Sequence, residues 1–106
     1  FVRPGMPLRI TAEYEHWRRV EDAEGAGGWI HYSLLSVART VLVVEDHAEI
    51  RVRADPRAPV IARAELGVVA RVTACVPAWC RISRDGVRGW LPKDAIWGVT
   101  AEETFD

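Results

Sequence analysis

Two kinds of side chain in this sequence are able to do chemistry: a cysteine pair and an unusually large set of tryptophans. Cys75 and Cys80 are the only cysteines, and four residues separate them. This spacing fits a disulfide across a short hairpin turn, which would persist only in an oxidising compartment. The alternative is two reduced, half-buried thiols. A redox-active pair is not expected, because a hairpin offers no helix N-terminus to lower a thiol pKa.

The histidines and carboxylates do not form a catalytic or metal-binding pattern. His16, His31 and His47 lack a regular ligand spacing, and no cysteine is near them in sequence. The sequence contains no Gly-x-Ser-x-Gly motif and no phosphate-binding loop. Its acidic residues fall mainly in turns and in the polar tail, as on a solvated surface. We therefore expect a protein that is not an enzyme, with no catalytic residue, cofactor or metal.

Aromatic side chains are the natural agents of binding. The chain has five Trp among 106 residues, and exposed Trp and Tyr offer a large contact area at small entropic cost. For Trp29 and Trp90 a structural role at the end of the fold is an equal alternative, and Trp97 is expected to fill the contact between the two halves of the chain. The candidate ligand-binding residues are Trp17, Tyr14, His31, Tyr32, Trp79 and Trp90.

These residues lie in two copies of one sequence pattern, residues 5–35 and residues 67–96. At a constant offset of 62, Thr11 matches Thr73 and Trp17 matches Trp79. One extra residue in the first copy changes the offset to 61, and Trp29 then matches Trp90. A repeat of this kind indicates two copies of one small structural unit.

Each copy has the pattern of a β-hairpin followed by a third strand. Leu8, Ile10 and Ala12 alternate with polar residues, as in a half-buried strand. Glycine-containing turns are expected at Asp22–Gly28 and Arg84–Gly89, since glycine adopts positive φ without steric cost. No segment has extended helical periodicity. The sequence therefore predicts an all-β fold built from small barrels.

The repeat gives a second reason to expect that Cys75 and Cys80 face each other. The positions of Cys75 and Cys80 are taken in the first copy by Glu13 and Arg18. Opposite charges at one pair of positions and two sulfur atoms at the other indicate residues that face each other across the hairpin.

The pattern resembles the bacterial SH3 domain. The stretch Gly-Trp-Leu-Pro-Lys-Asp-Ala-Ile at 89–96 is similar to the end of eukaryotic SH3 domains, and residues 50–56 resemble the family's opening strand and loop. The arginine-rich composition and the cysteine pair resemble exported SH3-like proteins of alphaproteobacteria. This resemblance implies two tandem SH3-like barrels, with periplasmic or otherwise exported localisation. The chain itself opens on Phe1 without a recognisable signal peptide.

The repeat also predicts where the modules begin and end. Phe1 falls opposite Arg63, so we expect the first barrel to lack its N-terminal strand and loop. The predicted modules are residues 1–45 and 46–100, followed by a frayed polar tail at 101–106. The β-prone run Thr40–Val44 is expected to supply the last strand of the first barrel.

The net charge and the residues of the expected ligand groove argue against several classes of partner. A net charge of −1 argues against nucleic acid and anionic membranes, and no apolar run is long enough for a membrane helix. Leu34 and Ala95 replace a groove tyrosine of eukaryotic SH3 domains, so proline-rich ligands are not expected.

The resemblance implies a non-catalytic cell-envelope module that recognises peptidoglycan or its peptide stems, or an envelope protein. Alternatives are a periplasmic assembly module, homo-oligomeric through an unpaired strand edge of the first barrel, and an accessory domain of a hydrolase.

Overall fold

The strands of the chain form two antiparallel sheets. The computed structural model describes residues 6–31 and 39–105. The first sheet has three strands in chain order, β1 (Arg9–Tyr14), β2 (Trp17–Glu21) and β3 (Gly27–His31). These three strands belong to the first copy of the repeat, and in the described residues they pair with one another.

The second sheet has seven strands in the order β10-β4-β7-β8-β9-β5-β6. A 3₁₀ turn at Lys93–Ala95 precedes its last strand. Within the described residues neither sheet closes on itself, and the all-β prediction is confirmed. The strands are β4 (Thr40–Val43), β5 (Ala48–Arg51), β6 (Val60–Ala64), β7 (Val69–Cys75), β8 (Trp79–Arg84), β9 (Val87–Pro92) and β10 (Ile96–Trp97).

The hairpins β1–β2 and β7–β8 have the same register. Each contains an irregularity at its threonine, between Ile10 and Ala12 in one hairpin and between Val72 and Ala74 in the other. At both places the threonine hydroxyl donates a hydrogen bond across the hairpin over 3.3 Å, to the carbonyl of Arg19 or Arg81. A bulge bends and twists its strand, so the two hairpins have the same local shape.

The facing pairs predicted from the repeat are confirmed. Glu13 lies opposite Arg18 in the first hairpin, with 3.4 Å between the carboxylate and the guanidinium Nε. Cys75 lies opposite Cys80 in the second, with a Cα–Cα distance of 4.1 Å, and the two form a disulfide. Both sulfurs are therefore committed to one bond, in the core of the second sheet.

The hydrophobic core belongs almost entirely to the second sheet. Along β7 the residues Ala70, Val72 and Ala74 are buried, as strand alternation requires. In the first sheet Val20 is fully buried, and Leu8 before β1 is also buried. The main cluster comprises Val41, Val43, Ala48, Ile50, Ala64, Ala70, Val72, Cys75, Cys80, Ile82, Leu91, Ala95, Ile96 and Val99.

Glycines permit one tight turn and one close approach in the second sheet. Asp85 and Gly86 both have positive φ, 51° and 82°, as expected for a two-residue hairpin turn between β8 and β9. At Gly89 an added Cβ would lie 2.5 Å from Cγ2 of Ile50 and 2.7 Å from the carbonyl oxygen of Arg51. Strand β5 therefore lies directly against β9 at a position where only glycine fits. The strands reach further into the predicted turns than the sequence indicated.

The expected role of Thr40–Val44 is wrong. Strand β4 pairs with β7 through Val41 opposite Ala70, and with β10 through Val43 opposite Ile96. It is thus an inner strand of the second sheet and does not close the first. Its strand tendency was readable from the sequence, but its partners follow it by about thirty to fifty residues. The module limits at residues 45 and 100 stay predictions.

The tail expected to be frayed is docked on the second sheet as far as Phe105. Phe105 and Cys75 exchange two backbone hydrogen bonds, of 2.7 and 3.0 Å. The guanidinium of Arg39 forms an ion pair with Glu103, and its burial lowers the Arg39 pKa. Nζ of Lys93 donates to the carbonyls of Ala101 and Glu103. Desolvation lowers the Lys93 pKa, an effect that the charge of Glu102 opposes.

A cation–π contact joins the two sheets. The guanidinium carbon of Arg9, on β1, lies 4.9 Å from the centre of the Trp97 ring on β10. Trp97 is half-buried there. Its predicted position between the two halves of the chain is confirmed.

Candidate functional site

The first sheet places several predicted site residues on one face. Tyr14 is paired with Trp17, and Trp17 is paired with His31 on the third strand. Directly opposed residues of antiparallel strands project to the same side of a sheet. Trp29 lies two residues before His31 on β3 and therefore projects to this side as well. The register of three short strands thus assembles one aromatic face.

Tyr14, Trp17 and Trp29 form what we call the aromatic surface. Their side chains are 65%, 46% and 48% exposed. Together with Glu13 they line a shallow cavity of about 560 Å³. This volume lies within the range of small-molecule sites, which combine aromatic walls with a few polar groups. The arrangement can therefore offer aromatic ring faces to a ligand.

His31 lies against Trp17 at one side of this surface. Its ring centre is 5.7 Å from that of Trp17, and the planes are nearly perpendicular at 84°. This edge-to-face geometry is a favoured one for aromatic pairs. The ring centre of His16 lies 6.0 Å from that of His31. His31 therefore borders the indole of Trp17 and limits the positions available to it.

Glu13 is the charged residue among those that line the cavity. Its carboxylate pairs with the Arg18 guanidinium, which also donates to the backbone carbonyls of Glu15 and Trp17. An exposed ion pair of this kind contributes little to stability. Because Glu13 and Arg18 are directly opposed and adjoin Tyr14 and Trp17 along their strands, their side chains project to the face opposite the aromatic rings.

The matched residues of the second sheet do not form an equivalent surface. Trp79 and Trp90 are both half-buried. Trp79 lies opposite Pro92, and the position that corresponds to Tyr14 holds Val76. The structure therefore separates the six predicted ligand residues, with Tyr14, Trp17 and His31 together in the first sheet and Trp79 and Trp90 apart from them. Tyr32, the sixth, lies outside the described residues.

An arginine is one difference between the surroundings of Trp29 and those of Trp90. In the second sheet the guanidinium carbon of Arg81 lies 5.7 Å from the Trp90 ring centre, and its Nε donates to Thr73 over 2.9 Å. In the first sheet the guanidinium of Arg19 lies beside Gly27, 3.5 Å from where a Cβ there would be. Trp90 is therefore covered by its arginine, and Trp29 stays open.

Trp29 and Glu13 are the site residues that sequence reasoning left out of the candidate set. The sequence allows Trp29 a structural or a contact role equally, and the deciding feature is the direction of a neighbouring side chain. Glu13 was treated only as the counterpart of Cys75. Its position next to Tyr14 at the end of β1 was the available signal.

Metal binding and membrane insertion receive no support from the described part of the chain. Within residues 6–31 and 39–105 no group of three or more His, Cys, Asp or Glu side chains could hold a metal ion. In the same residues no helix is long and apolar enough to cross a membrane. The chemistry offered by the aromatic surface is contact through aromatic rings.

Comparison with known proteins identifies one family. The sequence model of the bacterial SH3 domain matches residues 1–36 and residues 44–98. No curated protein matches the chain.

Proposed function

Because this chain belongs to the bacterial SH3 domain family, we propose that it is a non-catalytic binding module that holds peptidoglycan on its aromatic surface. Bacterial SH3 domains are commonly cell-wall binding or protein-interaction modules. The observation that carries the proposal is the exposure of Tyr14, Trp17 and Trp29 around one shallow cavity.

Peptidoglycan fits the chemistry of this surface. Sugar rings have apolar faces that pack against aromatic rings such as those of Tyr14, Trp17 and Trp29. A shallow, open cavity suits a polymer that extends beyond the contact site. The disulfide supports an oxidising location, such as the periplasm, in which this ligand is present.

Co-sedimentation with purified sacculi tests the proposal. Trp17→Ala removes the ring in the middle of the surface and should weaken binding roughly thirtyfold, as expected for a tryptophan that dominates an interface. Tyr14→Ala should weaken it less. The matched control is Val76→Ala, which changes the corresponding position of the second sheet and should bind like the wild type. Circular dichroism establishes that each variant is folded.

Two results would count against this proposal. Sedimentation that survives Trp17→Ala and Tyr14→Ala in folded protein would place the ligand elsewhere. Release of soluble muropeptides from sacculi by the purified chain would show catalysis, whereas a binding module releases none.

A further inference from the structure

Strand β1 forms an edge of its sheet, whereas its counterpart β7 does not. In the described residues β1 pairs with β2 alone. Strand β7 carries β4 along its outer side, and Phe105 extends this pairing at Cys75. An edge strand with an accessible backbone is a template for another extended chain.

A cleft runs along this edge. It is lined on one side by Ile10, Thr11, Ala12 and Glu13, four consecutive residues of β1. Successive side chains of a strand point to opposite faces, so only a cleft along the edge of β1 is lined by all four. The docked tail forms the other wall, and the volume is about 320 Å³. The cleft thus gives access to the backbone of the edge strand.

Three carboxylates line the cleft. Glu102 is exposed, Glu13 is exposed in its ion pair with Arg18, and Glu103 is partly buried in its ion pair with Arg39. The tail is anchored by Arg39 and Lys93, which keeps Glu102 near the cleft. Carboxylates on both walls favour a segment that carries a positive charge.

The backbone of this region is compatible with an added antiparallel strand. On β7 the N–H of Val72 donates to the Arg39 carbonyl over 2.9 Å, and the N–H of Val43 donates to the Val68 carbonyl over 2.8 Å. In this ladder Val69 lies between hydrogen-bonded pairs. The residue that corresponds to Val69 in the first copy is Pro7. Pro7 has no backbone N–H, but a residue between hydrogen-bonded pairs does not donate to the added strand. Pro7 would therefore not interrupt the ladder.

We propose that the β1 edge binds an extended segment of a partner protein as an antiparallel strand, with an arginine or lysine of that segment in the cleft of Glu13 and Glu102. The type of segment is shown by residues 39–43 of this chain, where Arg39 precedes a β-branched run and contacts Glu103. A second copy would have to release that strand from between β7 and β10. A partner protein is therefore the occupant.

A synthetic peptide of sequence Arg-Thr-Val-Leu-Val, with capped ends, tests this site. Titration into the isotope-labelled chain should shift the amide resonances of β1 and slow the exchange of the Ile10 N–H. The control peptide Glu-Thr-Val-Leu-Val should bind roughly tenfold more weakly, since it reverses the charge that faces the cleft. Affinity should also fall as salt is added.

Protein variants locate the contact. Glu13→Lys combined with Glu102→Lys should weaken the peptide roughly tenfold, by repulsion of its arginine. Glu24→Lys makes the same charge change at an exposed turn and should leave the affinity unchanged. The aromatic variant Trp17→Ala should also keep peptide binding, which separates this site from peptidoglycan binding. Absence of binding at millimolar peptide, shifts on β7 or on the aromatic surface, or dimerisation of the chain alone in light scattering would each overturn the proposal.

Discussion

The hairpins β1–β2 and β7–β8 have the same register and the same bulge, but their matched side chains do different things. In the first hairpin Glu13 and Arg18 form an exposed ion pair next to open aromatic rings. In the second, Cys75 and Cys80 form a buried disulfide. The comparison teaches that one backbone pattern leaves aromatic rings exposed in one copy and carries a buried disulfide in the other.

The hairpins also differ in their surroundings, and the second hairpin is again the more enclosed one. Strands β4 and β5 flank the second hairpin and its third strand, and they enclose a large core. In the described residues the first sheet has only its three strands. A sheet with few neighbours exposes its faces and its edges, which are the parts of it that partners can reach.

Removal of the disulfide should have the largest effect on stability and should remove one of the main differences between the two hairpins. Cys75→Ala combined with Cys80→Ala should lower the free energy of unfolding by about 2–4 kcal/mol, through lost chain restriction and lost core packing. The matched variant, Glu13→Gln with Arg18→Gln, removes an exposed ion pair and should cost less than about 1 kcal/mol. Urea unfolding measures both. Equal losses would show that the copies do not divide their roles in this way.

A methyl group at the β5–β9 contact should have the next largest effect. Gly89→Ala places a Cβ where the Arg51 carbonyl and the Ile50 side chain leave no room, and should cost about 1–3 kcal/mol. Its control in the first sheet is Gly27→Ala. The added Cβ would lie 3.1 Å from the Val20 carbonyl oxygen, a tight but less severe contact, so this variant should lose less stability than Gly89→Ala. Thermal unfolding of the two variants gives the comparison. A Gly89→Ala protein as stable as the wild type would contradict the close approach of β5.

Removal of the arginine cover from Trp90 should have the smallest effect and make the second sheet resemble the first. Arg81→Ala should cost about 0.5–1 kcal/mol, because the cation–π contact with Trp90 is lost. It should also change the indole N–H resonance of Trp90 in the NMR spectrum. Arg19→Ala in the first sheet should leave the Trp29 resonance nearly unchanged. If both substitutions shift the indole N–H resonance of the neighbouring tryptophan equally, the difference in ring exposure has another cause.

Comparison of the two copies was enough to predict the hairpin register. It identified the facing pairs and the disulfide because both depend on local pairing, which the repeat reports twice. The assignment of β4 failed for the opposite reason. The run Thr40–Val44 has a clear strand preference, but its partners β7 and β10 are distant in sequence, and local preference carries no information about them.

The site was predicted in part for a similar reason. Tyr14, Trp17 and His31 follow from the register, since they are directly opposed in neighbouring strands. The exposure of Trp29 depends on where Arg19 points, and the docked tail depends on contacts of Arg39 and Lys93. Side-chain direction and long-range anchoring are properties of the folded chain that no short sequence pattern encodes.

The pairing of β4 has a consequence for how the second sheet forms. This apolar strand is synthesised early, but its two neighbours end at Cys75 and Trp97. Non-local pairing of this kind slows folding, because a long loop must close before its contacts are gained. Until residues 96–97 are available, a β-prone segment without charges has one side unpaired and is open to association with other chains. Aggregation during folding should therefore start at β4.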